Sequence, residues 1–196
     1  MQMLRKRRFW LFIALSEFIV LIIVSWGLIV TRQEVVRYEG NYDAMLGNQV
    51  TVLFKAAHDN VKLIERLVAG ETLPIEEMRT LREGTLTFSK SYSDLHGLVI
   101  QRSGKPSEKF SMEPAVIAYT MTQYLDNKVL LPDTDTFQIK GLEKQIQVMH
   151  DIHKQWIDAL GGGKSVPDPQ QWREITEELS IGTKDRSLEL ESIFFR

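Results

Sequence analysis

Two histidines one helical turn apart are the side chains in this chain whose spacing best suits metal chemistry. His150 and His153 are three residues apart, so on a helix both imidazoles lie on one face and can bind the same ion. A metal site needs a third ligand, and neither a Glu-x-x-His nor a His-Glu-x-x-His pattern accompanies the pair. We keep both as candidate ligands, expect no metal site, and predict that His153, which falls on an apolar stripe, is a hydrogen-bonded core residue.

A glycine-rich run at residues 161–165, GGGKS, is similar to a phosphate-binding loop. That loop requires glycine five positions before its Gly-Lys pair, where this chain has Asp158, and it follows a strand rather than a helix. We interpret the run as a helix end followed by a flexible loop. The sequence contains no Gly-x-Ser-x-Gly elbow and no nucleophile with a recognisable base. We therefore predict no catalytic residues, no cofactor and no enzyme activity.

Composition excludes further classes of function. The 196 residues include no cysteine, which removes disulfides, thiolate metal sites and cysteine nucleophiles. The formal charge of −2 is unevenly distributed, because residues 1–32 hold five of the 24 basic side chains and one of the 26 acidic ones. The remainder carries 19 basic and 25 acidic side chains, a net charge of −6. A domain of that sign repels phosphates, so nucleic acid is not an expected partner.

Residues 9–30 read FWLFIALSEFIVLIIVSWGLIV and contain one charge. About 22 helical residues span roughly 33 Å, enough to cross a bilayer core of about 30 Å. A cleaved secretory signal would have a shorter apolar run and a cleavage site of small residues, which this segment lacks. The segment is therefore predicted to be a retained signal-anchor helix in the lipid bilayer.

Flanking residues predict the orientation of this anchor. Four basic residues precede it, namely Arg5, Lys6, Arg7 and Arg8, whereas Arg32 alone follows it closely. Basic residues stay on the cytoplasmic side, so residues 1–8 should be cytoplasmic and the chain from about residue 33 onward extracytoplasmic. Trp10 and Trp26 lie near the two ends, where aromatic side chains favour the headgroup level. The expected location is the plasma membrane, crossed once.

Glu17 is the one charged residue inside the anchor, about 13 Å along the helix from Arg8. An ionisable side chain at that depth costs a few kcal/mol and usually faces protein or water rather than lipid. Three hypotheses follow for Glu17. It pairs with a group on another membrane helix, it carries protons or ions as in ion-driven motors, or it is protonated and simply tolerated by a strongly apolar helix.

Residues 31–70 are predicted to continue the anchor as a long juxtamembrane helix that Gly70 caps. Apolar residues recur there at intervals of three and four, which is typical of one buried stripe. The stripe consists of Val35, Tyr38, Tyr42, Leu46, Val50, Leu53, Ala57, Val61, Ile64 and Val68. Gly40 and Gly47 lie seven residues apart in the same juxtamembrane segment. Either a partner helix approaches closely at these glycines, as it would at Glu17, or the helix is weak and bends.

Residues 71–196 form the rest of the extracytoplasmic domain. Turn and cap residues predict four further helices there. The second runs from Pro74 to Gly97, and the third is capped by Ser111 and closed by Leu131-Pro132-Asp133. The fourth is capped by Asp135 and ended by Gly161, and the fifth begins at Asp168-Pro169. Residues 98–110 are expected to form a loop or a small hairpin. The tail, residues 188–195, either packs back on the domain or contacts another subunit.

These patterns predict a mainly all-α protein, in which the transmembrane helix continues into an antiparallel bundle of four to five helices. The favoured function is a noncatalytic accessory or scaffold subunit of a bacterial envelope complex, whose anchor pairs with a polytopic membrane protein, or with further copies of the chain, through Glu17. The alternative is an extracytoplasmic sensor or ligand-binding module that acts through a partner. A third hypothesis is a single-span subunit of an ion-driven motor.

Overall fold

The computed structural model describes the backbone of residues 2–103, 110–130, 135–161, 171–184 and 186–194. Side chains are described from Glu17 onward within these ranges, except at 102–103, 187–189 and 191. Six α-helices occur in this part of the chain: α1 (Gln2–Val68), α2 (Ile75–Ser103), α3 (Glu113–Tyr124), α4 (Glu143–Ala159), α5 (Trp172–Thr183) and α6 (Ser187–Phe194). The prediction of a mainly all-α chain is confirmed, while the antiparallel order of the helices stays a prediction.

The chain divides into two compact units, Met1–Asp43 and Ala44–Arg196, and we call the second the helical domain. The first unit consists of the N-terminal part of α1. Among the described residues, α1 is the one helix long and apolar enough to cross a membrane, and none of its apolar window is buried within the protein. Length and composition thus allow the predicted span.

The end of α1 follows the prediction closely. Gly70 has a φ of 84°, its N–H donates to Leu67 O, and the N–H of Glu71 donates to Arg66 O. This pair of bonds is a Schellman motif, which occupies the last helical carbonyls and favours glycine at the left-handed position.

The predicted apolar stripe of α1 is buried only within the helical domain. The core positions there are Leu46, Val50, Leu53, Ala57, Val61 and Ile64. In the first unit, by contrast, Val35 is 50% exposed and Tyr38 is 75% exposed. The expectation of one buried stripe is therefore wrong for these two residues, because no described element of the first unit covers them. It is also wrong for Val68 at the end of α1, which is 41% exposed.

Helix α2 begins where predicted but runs past its expected end. Its predicted stripe is buried: Ile75, Met78, Leu81, Thr85, Phe88, Tyr92 and Leu95. Gly97 was expected to end the helix, and residues 98–110 to form a loop or hairpin, yet α2 continues to Ser103. Burial of Val99 supports the extra turn, since a single exposed glycine costs a helix only about 1 kcal/mol. Residues 104–109 lie outside the described part of the chain.

A short strand pair replaces the predicted start of the fourth helix. Asp135 does not cap a helix, because its carbonyl accepts the N–H of Ile75 (2.9 Å) and the chain continues into an antiparallel pair of Thr136–Phe137 with Leu73–Pro74. Helix α4 begins only at Glu143, after Gly141 with a φ of 82°. The Glu143 carboxylate accepts backbone N–H groups, its own and that of Gly141, which lowers the pKa of Glu143.

Two further cap predictions have different outcomes. Ser111 was expected to cap α3, but the helix begins at Glu113 and the buried Ser111 hydroxyl has no hydrogen-bond partner. Pro114 in the first turn favours the start, since proline needs no donor there. Gly161, with a φ of 98°, follows the end of α4 as predicted. The predicted breaks at 131–133 and at 168–169 lie outside the described residues.

Aromatic side chains fill much of the core of the helical domain. Phe88 of α2 stacks on Trp156 of α4 with ring centroids 4.0 Å apart. Tyr124, at the end of α3, contacts Phe194 of α6 at 4.8 Å. With Leu190 and Phe194 both buried, the tail packs back on the domain, which was one of its two predicted arrangements.

Helices α1 and α2 approach each other closely at Gly84. A Cβ built on Gly84 would overlap Oδ1 of Asn60, which is itself 2% exposed and hydrogen-bonded. The two helices can therefore come this close only because Gly84 has no side chain. Gly97, in the same helix, has open space where a Cβ would stand.

These two glycines supply a matched test of packing. Gly84→Ala should lower the free energy of unfolding by roughly 2–4 kcal/mol, because the methyl group displaces Asn60 from its hydrogen bonds. Gly97→Ala should raise the free energy of unfolding by about 0.5–1 kcal/mol through helix propensity alone. Denaturant titration of the full chain in detergent, followed by far-ultraviolet circular dichroism, measures both. Equal stabilities for the two variants would contradict the packing described.

Candidate functional site

Between Glu17 and Val30, the described part of the predicted span, α1 exposes one carboxylate, that of Glu17. At about 100° per residue, Leu21, Val24, Leu28 and Val35 lie within about 40° of Glu17 around the helix axis. We call these five residues the Glu17 face. All five are exposed, and four are aliphatic. Within the predicted span this face is therefore a lipid-compatible surface with a single group that requires a hydrogen-bond donor, a cation or a proton.

The two glycines predicted to contact a partner beside Glu17 lie in different surroundings. Gly40 is exposed in the first unit, about 140° from Glu17 around the helix. Gly47 is buried in the helical domain, where its carbonyl accepts the Thr51 hydroxyl at 2.9 Å. Helix α1 continues through both positions, so neither glycine interrupts it. The structure does not bring Gly40 or Gly47 onto the Glu17 face.

The residues predicted to orient the anchor are only partly described. Trp26 is 69% exposed, as an interfacial side chain would be. The side chains of the other five, Arg5, Lys6, Arg7, Arg8 and Trp10, lie outside the described part. Their role in orientation stays a prediction.

The structure separates the two candidate metal ligands. His153 is buried, its Nδ1–H donates to Met149 O (2.8 Å), and its Nε2 faces the Asn60 amide (3.1 Å). His150 is half-buried, with Nδ1 3.3 Å from Asp151 Oδ1 and Nε2 3.9 Å from Glu65 Oε1. Each of the two imidazoles therefore contacts a different set of neighbours. In the described ranges, no group of three or more His, Asp or Glu residues is placed to hold a metal ion.

A polar network of Asn60, Thr85 and His153 joins α1, α2 and α4 inside the core. Nδ2 of Asn60 donates to Thr85 Oγ1 (3.2 Å) and to Nε2 of His153, while the Thr85 hydroxyl donates to Leu81 O (2.8 Å). Since a backbone carbonyl accepts from Nδ1 of His153, that ring is the tautomer with a free lone pair at Nε2. Burial lowers the pKa of His153 to about 4, so the imidazole is neutral.

A second buried network surrounds the Tyr92 hydroxyl. It lies 2.8 Å from Ser180 Oγ and 3.1 Å from Ser111 O, and the N–H of Ser111 donates to Ser180 Oγ. Burial raises the pKa of Tyr92 to about 12, although the bond to Ser180 opposes the shift. Ser180 also donates to the Thr176 carbonyl. None of these neighbours is a general base, so the cluster is suited to joining α2 and α5 rather than to catalysis.

A groove of about 360 Å³ separates α4 from the C-terminal segment of the helical domain. Its lining residues are Val148, Asp151, Ile152, Gln155, Arg186, Leu190 and Ile193. The sequence did not predict this site, because Arg186 and Gln155 are 31 residues apart and meet only in the fold. The amphipathic tail beside an amphipathic α4 was the available signal.

Comparisons with known proteins give no relative: no family model, curated protein or solved structure matches the chain.

Protonation of His153 should destabilise the protein. The unfolded chain binds this proton near pH 6.5, whereas the folded chain binds it only near pH 4. Between those values the unfolded state therefore holds more protons, and stability falls as the pH falls. The loss should reach roughly 3 kcal/mol by pH 4.

Denaturant titrations of the full chain between pH 7 and pH 4 measure this slope. His153→Gln should be less stable at pH 7 but should have a shallower slope, because the titrating ring is gone. His58→Gln is the control, since His58 stacks on Phe54 outside the network and its loss should preserve the slope. Identical slopes for the wild type and His153→Gln would refute the assignment.

Proposed function

We propose that this chain is a noncatalytic, single-pass subunit of a bacterial envelope membrane-protein complex. The N-terminal part of α1 is the anchor, and the helical domain scaffolds or regulates the complex outside the cytoplasm. The observation that carries the proposal is Glu17, an exposed carboxylate on an apolar helix that no described side chain of the first unit covers.

Energetics favour a partner for this carboxylate. An ionisable group in the middle of a membrane helix costs a few kcal/mol, and a donor or cation on a neighbouring helix offsets that cost. In a symmetric parallel pair of this chain, two Glu17 carboxyls would lie at the same depth and face each other. A different membrane protein with a basic or amide side chain at that depth avoids this repulsion, so we favour a heterologous partner.

The proposed interface extends beyond the membrane. Val35 lies five helical turns from Glu17, on the same face, and is half exposed to water. Residues 31–43 include several poor helix formers, and no described element of the first unit packs on this part of α1. Contact with a partner along the Glu17 face would supply the missing packing and extend the interface outward.

The alternative, an extracytoplasmic ligand-binding module that acts through a partner, is favoured by a separate observation. The groove beside α4 combines buried aliphatic side chains with a carboxylate and a guanidinium. Ligand binding there is compatible with membership of a complex, because the groove belongs to the helical domain and the Glu17 face to the first unit.

The proposed topology is testable with single cysteines, because the chain has none of its own. Lys140→Cys, at an exposed position of the helical domain, should react with a membrane-impermeant maleimide in intact spheroplasts. Gln2→Cys should react only after lysis. Labelling of Lys140→Cys only after lysis, or recovery of the protein in the soluble fraction, would overturn the topology.

The proposed pairing predicts that Glu17→Leu reduces the amount of copurifying partner at least tenfold, because about 1.4 kcal/mol of lost binding has that effect. Glu17→Gln should retain part of the binding through its amide. Ile19→Leu is the control, two residues away and about 160° around the helix. Quantitative mass spectrometry after mild detergent extraction from the native membrane measures the partner.

Photo-crosslinkers refine the same test. A crosslinker at Leu28, on the Glu17 face, should capture the partner, whereas one at Trp26, on the opposite side, should not. A crosslink only between copies of this chain would contradict the heterologous partner. Intact assembly with loss of ion-driven work in Glu17→Gln would favour the ion-motor hypothesis instead.

A further inference from the structure

We propose that the groove between α4 and the C-terminal segment binds a zwitterionic small molecule, an α-amino acid with an aliphatic side chain. This inference goes beyond the proposed function and does not depend on the anchor or its partner. It rests on the shape of the groove, its apolar floor and the two opposite charges at its rim.

The floor of the groove is aliphatic. Ile152 of α4 and Leu190 of α6 are buried, at 1% and 3% exposure, and Val148 and Ile193 form half-buried walls. A branched aliphatic side chain of a ligand would leave water for contact with Val148 and Ile193, the partly accessible aliphatic members of this lining. At about 360 Å³, the groove is near the lower limit of small-molecule sites, which suits an amino acid rather than the helix of a partner protein.

The rim carries one guanidinium and one carboxylate. Nη1 of Arg186 donates to Oε1 of Gln155 at 3.1 Å, which positions the guanidinium above α4 and uses one of its five N–H groups. Asp151 lies one helical turn before Gln155, and its Oδ1 accepts Nε2 of Gln147 at 2.9 Å and lies 3.3 Å from Nδ1 of His150. In the described part of the chain, no ion pair joins Asp151 to Arg186, although both line the groove.

These charges select the class of ligand. A carboxylate ligand gains from Arg186, whose planar donors match carboxylate geometry, but a simple fatty acid would also meet the negative Asp151. A simple amine gains from Asp151 but meets Arg186. Only a molecule with both an ammonium and a carboxylate complements the two, and its side chain then lies against Val148 and Ile193.

Binding should also stabilise the C-terminal helix. Gln145 Nε2 donates to the Ile193 carbonyl at 3.3 Å, and Phe194 packs on Tyr124, so α6 forms one wall of the groove. A ligand that bridges α4 and α6 adds contacts between these two helices. Because it binds the folded state, it raises the apparent melting temperature with increasing concentration.

The test uses the full chain in detergent micelles, titrated with L-leucine and monitored by thermal shift and calorimetry. Leucine should raise the melting temperature in a saturable way, and L-isoleucine and L-valine serve as further probes. Three truncated analogues should each bind at least tenfold more weakly: 4-methylpentanoate lacks the ammonium, isopentylamine lacks the carboxylate and glycine lacks the side chain.

Variants locate the site. Asp151→Asn and Arg186→Gln should each weaken leucine binding at least tenfold, with the melting temperature of each ligand-free variant measured to verify folding. Asp158→Asn, on the same helix but outside the lining, and Arg173→Gln on α5 are controls that should bind as the wild type does. Absence of a shift with all three amino acids, equal binding of 4-methylpentanoate, or unchanged binding by Asp151→Asn and Arg186→Gln would overturn the proposal.

Discussion

The hydrogen bonds of the Asn60 amide constrain α1, α2 and α4 together, because Nδ2 reaches both Thr85 and His153 inside the core. Each bond contributes only about 1 kcal/mol net, but a buried amide left without partners costs about 1–3 kcal/mol. The arrangement therefore disfavours any alternative packing of these helices. It also explains Gly84, which lacks the side chain that would displace Asn60. Geometry, more than burial alone, fixes how the three helices meet.

The same constraint sets the protonation state of the core. Nε2 of His153 accepts the Asn60 N–H only when the imidazole is neutral, and burial keeps the pKa of the ring near 4. A proton on Nε2 would place a donor against a donor and a charge beside the Trp156 ring, in surroundings with little water. His153 is thus a structural residue whose chemistry is committed to the fold, which also makes it unsuitable as a metal ligand.

Periodic burial could be predicted from the sequence, whereas local boundary signals and long-range polar pairs could not. The stripes of α2 and of the later part of α1 were correct because apolar spacing reports directly which face is buried. The boundary predictions at Gly97, Ser111 and Asp135 were wrong because tertiary contacts outweighed local preferences. The helix continues past Gly97 towards buried Val99, and the Asp135 carbonyl accepts the N–H of Ile75. His153 was correctly expected to be a hydrogen-bonded core residue. Its partner Asn60 lies 93 residues away, and no pattern along the chain encodes that contact.

Whether a polar group finds a hydrogen-bond or charge partner within the protein distinguishes structural residues from candidate functional residues. Inside the helical domain, Asn60, Thr85 and His153 are joined by hydrogen bonds, and the buried atoms left without partners among the described residues, such as the Tyr124 hydroxyl, are neutral. A neutral buried group without a hydrogen-bond partner lowers the free energy of unfolding by a modest amount and attracts no ligand by charge. Glu17 is different, because it is an exposed carboxylate on an apolar helix; in the proposed anchor, only a group from outside the first unit would stabilise it. Asp151 and Arg186 differ in a second way, since they carry opposite charges, line the same groove and form no ion pair with each other. We therefore propose that binding involves these ionisable surface groups, whereas the buried core supplies stability.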